Sequence, residues 1–147
     1  MNDSSNAFNA ARRRIQAARF CIEGNFPSVA VAETYYAMAD IVRSALQRKG
    51  VEPKTHSGLE TLFFKRFVDE GPISRNTHQT LVHAYEARWR WHYRFVEPDQ
   101  ETVERYLDAT TSLMNQLEVQ FRSRSMTLWL PLCCEGPPGA PLPVSPP

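Results

Sequence analysis

The sequence predicts an all-α fold, an up-and-down bundle of four long helices plus one short helix, and three observations predict it. Val103, Leu107, Thr110, Met114, Leu117 and Phe121 repeat at intervals of four and three, the period of a helix that buries one face. The turn pairs Gly24-Asn25, Lys49-Gly50 and Gly71-Pro72 cut the chain into segments of helical length. No alternating apolar and polar run, the mark of a half-buried strand, competes with this reading in the body of the chain.

The first helix is set by Phe8, Ala11, Ile15, Ala18 and Ile22, which share one face, with Gly24-Asn25 as its stop. Phe26-Pro27-Ser28 opens the second, in which Tyr35, Tyr36, Met38, Ile41 and Val42 stand among alanines on nearly every side. That all-round apolarity predicts the central, most buried helix. Val51 to His56, VEPKTH, reads as a loop, and Ser57 with Glu60 three residues on reads as a capping box. The short third helix follows through Leu59, Leu62, Phe63 and Phe67. Ser74 caps the fourth, which runs to about Tyr93 with Leu81, Val82, Tyr85 and Trp89 inward. Pro98 suits the first turn of the fifth, where Asp99 and Glu101 complement the helix dipole.

Past Ser125 the helical period disappears and seven of the 11 prolines follow. The helical domain is therefore bounded at 7–124, and 125–147 is expected to be a disordered Pro-rich tail. One domain suits 147 residues of which 42% are hydrophobic. With 17 Lys and Arg against 16 Asp and Glu, the net charge of +1 gives no overall drive toward nucleic acid or an anionic membrane, so any such binding must be local. Arg12, Arg13, Arg14 and Arg19 in the first helix and Arg88, Arg90 and Arg94 in the fourth are the local candidates. Cys21, Cys133 and Cys134 make neither a disulfide framework nor a metal-ligand spacing, and His78 and His83 have no third ligand nearby in sequence. No cofactor or metal is expected. The polar start MNDSSNAFNAARRR lacks the apolar core of a secretory signal, and no run approaches the roughly 20 apolar residues of a membrane span. A cytoplasmic protein without a membrane partner is the expectation.

Tyr85 to Phe95, YEARWRWHYRF, sets Arg88, Arg90, His92 and Arg94 among five aromatic residues. The apolar stripe that enters through Leu81 and Tyr85 continues to Arg88 and then His92, so a charged and a titratable residue take positions that the period assigns to apolar side chains. Either the Arg stem snorkels beside a satisfied histidine, or the pair belongs to a site. Lys54 and His56 in PKTHSG either meet a phosphate at the head of the third helix or shape its loop, and Tyr35-Tyr36 reads first as packing.

The block AETYYAMADIVRSALQRKGVEPKTHSGLETLFFKRFVDEGPIS resembles the central part of small prokaryotic HEPN-domain proteins, with a YYAM-type helix, PKTHSG, and an LF-x-K-x-FV-x-x-G-x-IS run. The resemblance covers about Ala7 to Phe121. It implies a helical bundle that forms a homodimer, with the Arg-bearing helices of two subunits meeting at a cleft. It also implies a metal-independent RNA endonuclease of the toxin type, paired with a nucleotidyltransferase antitoxin. The family signature is an Arg, four to six residues, then a His. In that chemistry Arg neutralises the phosphate and His moves a proton at the ribose or at the leaving oxygen.

Here His92 follows Arg88 after three residues, and Tyr93 stands where the signature has its His. His92 shares a helix face with Arg88, whereas Tyr93 is turned away by about 140°. An imidazole titrates near neutral pH and a phenol does not. Arg88, His92 and Tyr93 are thus the candidate catalytic residues, with Arg90, Arg94 and Lys54 as RNA- or nucleotide-binding candidates. The rival reading, left open by the altered spacing, is a non-catalytic module that holds a nucleotide or a partner protein in an Arg and aromatic cleft.

Overall fold

The computed structural model describes residues 3–134, with side chains described for 5–123. Among the described residues there are five α-helices and one π-helical segment, and no strand. They are α1 (Asp3–Glu23), α2 (Pro27–Arg48), α3 (His56–Phe63), the π segment (Phe64–Asp69), α4 (Arg75–Arg94) and α5 (Gln100–Cys134).

Phe8, Ala11, Ile15 and Ala18 form the buried face of α1, and the helix stops where Asn25 takes the left-handed conformation at φ 64°. The N–H of Phe26 then donates to the Cys21 carbonyl at 2.7 Å. The chain reverses here, so α1 and α2 run antiparallel: Arg14 meets Asp40 and the Arg48 guanidinium lies over the Phe8 ring. Fully buried Ala11, Ala18, Ala30, Ala37 and Ala45 provide the small side chains that let helices approach closely. Pro27 opens α2 at a position where its missing N–H costs no helical bond. Most of α2 is buried, as its all-round apolar pattern requires. It packs against α1, α3 and α4.

The start of α3 differs from the sequence expectation. Thr55, in extended conformation, is the cap, and its hydroxyl accepts the Gly58 N–H at 2.9 Å. Ser57 falls inside the first turn. His56 becomes the first helical residue with Glu60 one turn above it, so the Glu60 side chain bonds an imidazole instead of closing a capping box. The π segment follows directly, and at Gly71 a Cβ would come within 2.8 Å of the Phe67 carbonyl oxygen, so the exit of this segment admits no side chain. Ser74 caps α4 as expected, accepting the Thr77 N–H at 3.3 Å. The inward residues of α4 are Leu81 and Ala84, while Trp89 remains 37% exposed, against the inward placement expected of it. Left-handed Phe95 ends the helix.

Asp99 caps α5, accepting the Thr102 N–H at 3.1 Å, so Pro98 stands before the helix and not in its first turn. The stripe Val103, Leu107, Thr110, Met114, Leu117 and Phe121 is buried throughout. Val103 packs with Ala30 and Val31, and Cys21, Ile22, Ala87 and Tyr106 close over that cluster. The chain divides into two compact units at Met114, the second beginning at Asn115 with the later part of α5. The backbone of α5 is helical to Cys134, past the change of composition at Ser125. The prolines from Pro137 onward, and the disorder expected of them, lie outside the described residues. Among the described residues, no helix is long and apolar enough to cross a membrane.

Candidate active site

Three helices bring their polar and aromatic side chains to one place. From α2 come Tyr35 and Tyr36, from the first turns of α3 His56 and Glu60, and from one face of α4 Tyr85 and Arg88. The Arg88 Nη1 donates to the Tyr36 hydroxyl oxygen at 3.0 Å. Its guanidinium carbon lies 5.3, 5.2 and 5.7 Å from the ring centres of Tyr35, Tyr36 and Tyr85. Each such cation and ring pair contributes about 0.5–2 kcal/mol, depending on how dry it is. Arg88 therefore sits in an aromatic cage, half-buried, where the stripe of α4 assigns an apolar residue.

Among the described residues no carboxylate compensates the charge of Arg88. Arg14, whose guanidinium carbon is also 5.2 Å from the Tyr36 ring centre, is bound by Glu33 at 3.1 Å and Asp40 at 3.0 Å. Arg43 also reaches Asp40, at 3.4 Å. Among the described residues Arg88 has no such partner, and its Nε is buried without a hydrogen bond. A guanidinium with five donors and one protein acceptor is suited to take an oxyanion in its fork.

Beside it runs a second arrangement. The His56 ring is stacked on Tyr85, 3.5 Å between centres at an interplanar angle of 16°. Its Nδ1 is 2.6 Å from the Tyr35 hydroxyl oxygen and its Nε2 is 2.6 Å from Glu60 Oε1. An ionised Glu60 can only accept, so Nε2 donates to it and Nδ1 accepts the Tyr35 proton when the ring is neutral. Burial pushes the Tyr35 phenol up to about 12, with the Arg88 charge pulling it the other way. Tyr35 is thus a hydroxyl donor throughout the physiological range.

The sequence candidates separate. Arg88 belongs to the cage. His92 is exposed, packs edge-on against Tyr93 with ring centres 5.3 Å apart, and makes no hydrogen bond to Arg88. Tyr93 is 62% exposed and lies 5.3 Å from the Trp89 ring, over which the Arg94 guanidinium sits at 5.4 Å. Arg90 and Arg94 line a groove of about 610 Å³ with Tyr85, Glu86, Trp89 and Val96. Lys54 is exposed in the loop before α3. Tyr85 is common to the groove and the cage. Neither His78, whose Nε2 lies 3.2 Å from the Glu60 carbonyl oxygen, nor exposed His83 joins the cluster. Among the described residues no three His, Cys, Asp or Glu side chains converge as metal ligands. His56, Glu60 and Tyr35 had a signal in the sequence, the i and i+4 pair in HSGLE and the tyrosine doublet, but it connects only in three dimensions.

The HEPN domain family model matches residues 5–120, nearly the whole described chain. The chain belongs to the HEPN family. It is similar to two proteins of Methanocaldococcus jannaschii. With "Putative toxin MJ0605" it shares 31% identity over 94 residues, 64% of this chain and 70% of that protein. With "Putative toxin MJ0142" it shares 25% over 117 residues, 79% and 80% of the two chains. The UPF0332 protein glr0978 of Gloeobacter violaceus is 28% identical over 86 residues, 58% of this chain and 68% of its own. In this HEPN chain Arg88 is surrounded by three tyrosines, and His92, the histidine nearest to it in sequence, is exposed.

Proposed function

We propose that this HEPN protein is toxin-like, cleaves RNA as a homodimer in the cytoplasm, and is neutralised by a nucleotidyltransferase-type antitoxin. The observation that carries the reading is Arg88, a caged guanidinium with no carboxylate partner, which is what a site for a phosphodiester requires. His92 and Tyr93, one turn further along α4, meet the RNA beside that phosphate, and Arg90, Arg94 and Lys54 follow its backbone. The similarity to two proteins named as toxins supports the toxin-like role.

The dimer forms over the outer end of α4, where Trp89, Tyr93, Phe95 and Val96 are 37, 62, 81 and 52% exposed and a second copy would cover them. A second reading, a non-catalytic module holding a nucleotide or partner protein, is favoured by one observation: the outward, separately packed His92. Expression of the chain, followed by growth curves and gel analysis of total RNA, decides between them. Growth arrest and RNA fragmentation that Arg88→Ala abolishes support the nuclease. RNA left intact by a confirmed dimer supports the binding module.

A further inference from the structure

Both nitrogens of His56 are engaged and one ring face is covered by Tyr85, so this imidazole reaches a ligand only through the groups it bonds. One of those, the Tyr35 hydroxyl, is carried by a ring that forms part of the cage around the Arg88 guanidinium. Carboxylate, imidazole and hydroxyl stand in a row beside an anion-holding arginine. The order is that of a nucleophile or base oriented by a histidine and a buried acid, reached here with Tyr in place of Ser. His92 has no comparable carboxylate to orient it; its described neighbour is the Tyr93 ring.

We infer that Glu60, His56 and Tyr35 form the proton relay of the Arg88 site, Tyr35 being the catalytic residue and His56 and Glu60 the positioning residues behind it. The inference rests on the RNA-cleavage reading and replaces His92 as the carrier of the proton. With a phosphodiester held by Arg88, the ribose 2′-hydroxyl gives its proton to the Tyr35 oxygen as the phenolic proton passes to His56 Nδ1. The 2′-oxygen forms a bond to phosphorus, the bond from phosphorus to the 5′-oxygen breaks, and a 2′,3′-cyclic phosphate results. The leaving 5′-oxygen takes a proton from water, and the imidazolium, held by Glu60, returns one to solvent. Tyr35 itself is 6% exposed, so the ribose must reach its oxygen past the rim, where Tyr36 is 38% exposed and the His56 and Glu60 side chains are 22 and 24% exposed. The high-lying Tyr35 phenol supports the assignment, since it stays protonated at rest and yields a strong base once its proton has moved.

The test uses the full chain and a labelled mixed-sequence oligoribonucleotide. Tyr35→Phe should lower kcat by about 10²–10⁴-fold, and Glu60→Gln by about tenfold or more, both with KM within about threefold of wild type. In ¹⁵N spectra the neutral His56 ring should carry its proton on Nε2 in wild type, and lose that preference in Glu60→Gln. His83→Ala, at an exposed position away from the cluster, is the unchanged control. A wild type that cuts RNA while Tyr35→Phe and Glu60→Gln keep its kcat overturns the relay and leaves the nuclease reading standing. If wild type cuts no RNA the nuclease reading fails, and added uridine 3′-monophosphate decides for the relay. His56 signals that move in wild type and not in Tyr35→Phe support it, and signals that stay fixed overturn it. Circular dichroism melts confirm that each variant is folded.

Discussion

The two ends of the stretch of α4 from Tyr85 to Arg94 behave differently. Around Tyr85 and Arg88, residues from α2 and α3 close over the helix and hydrogen bonds connect them: Arg88 to Tyr36, Tyr35 to His56, His56 to Glu60. Around His92, Tyr93 and Arg94, the ring contacts are made within the helix itself, Trp89 with Tyr93 and Arg94 over Trp89. A group held from several elements keeps its geometry through a reaction, whereas side chains packed only on their own helix adapt to what they meet. On the proposed function, the inner end carries the chemistry and the outer end the recognition, by RNA or by a second copy.

The largest effect expected from this difference is at Arg88. Arg88→Ala should lower cleavage about 10²–10³-fold, as losing a positioned oxyanion donor does, with its helical spectrum unchanged. Arg88→Lys should recover little, because a point charge replaces a planar fork that both the cage and a phosphate require. A lysine variant with near-wild-type kcat would show that charge alone suffices and would remove the reason for the cage.

At the outer end the effect should be on association. Tyr93→Glu places a charge in the exposed aromatic patch and should shift the protein toward monomer in sedimentation experiments, weakening association by roughly 1–3 kcal/mol. An unchanged dimer would move the interface to another surface. Arg90→Ala with Arg94→Ala should raise KM and flatten its salt dependence by about one to two phosphate contacts, with kcat kept. Loss of kcat with an unaltered salt slope would erase the division between the two ends.

How much of this was legible in the sequence depends on distance along the chain. The buried stripe of α5, the cap at Ser74 and the stop at Asn25 are local patterns, and each stands where its spacing put it. Arg88 was legible as a misfit in an apolar stripe. The relay was not, because Tyr35 and His56 are 21 residues apart and meet only when α3 packs on α2. A two-residue error in the cap had a further cost: with Ser57 as the cap, Glu60 already had a role, and its bond to His56 was hidden. Trp89 and His92 were drawn inward by periodicity, but α2 and α3 cover the helix only as far as Arg88, so the period outlasts the neighbours that give it meaning.

The smallest effect separates Tyr35 from the other tyrosines. Tyr35 has its phenol raised by burial, so the folded state favours its neutral form; that contribution is complete below about pH 10 and is lost as pH rises through about 12. Ultraviolet titration of the five tyrosines should show a last component near that value, absent in Tyr35→Phe. Its persistence in the variant would place the buried phenol elsewhere.

The division between a chemical and a recognising end of α4 is tested most directly by the structure of the dimer with an oligoribonucleotide made uncleavable by 2′-deoxy substitution. The account predicts a phosphate oxygen within about 3 Å of the Arg88 guanidinium nitrogens, the sugar beside the Tyr35 hydroxyl, and the strand leaving across Arg90 and Arg94. A phosphate seated on His92, with Arg88 still bonded only to Tyr36, would contradict it.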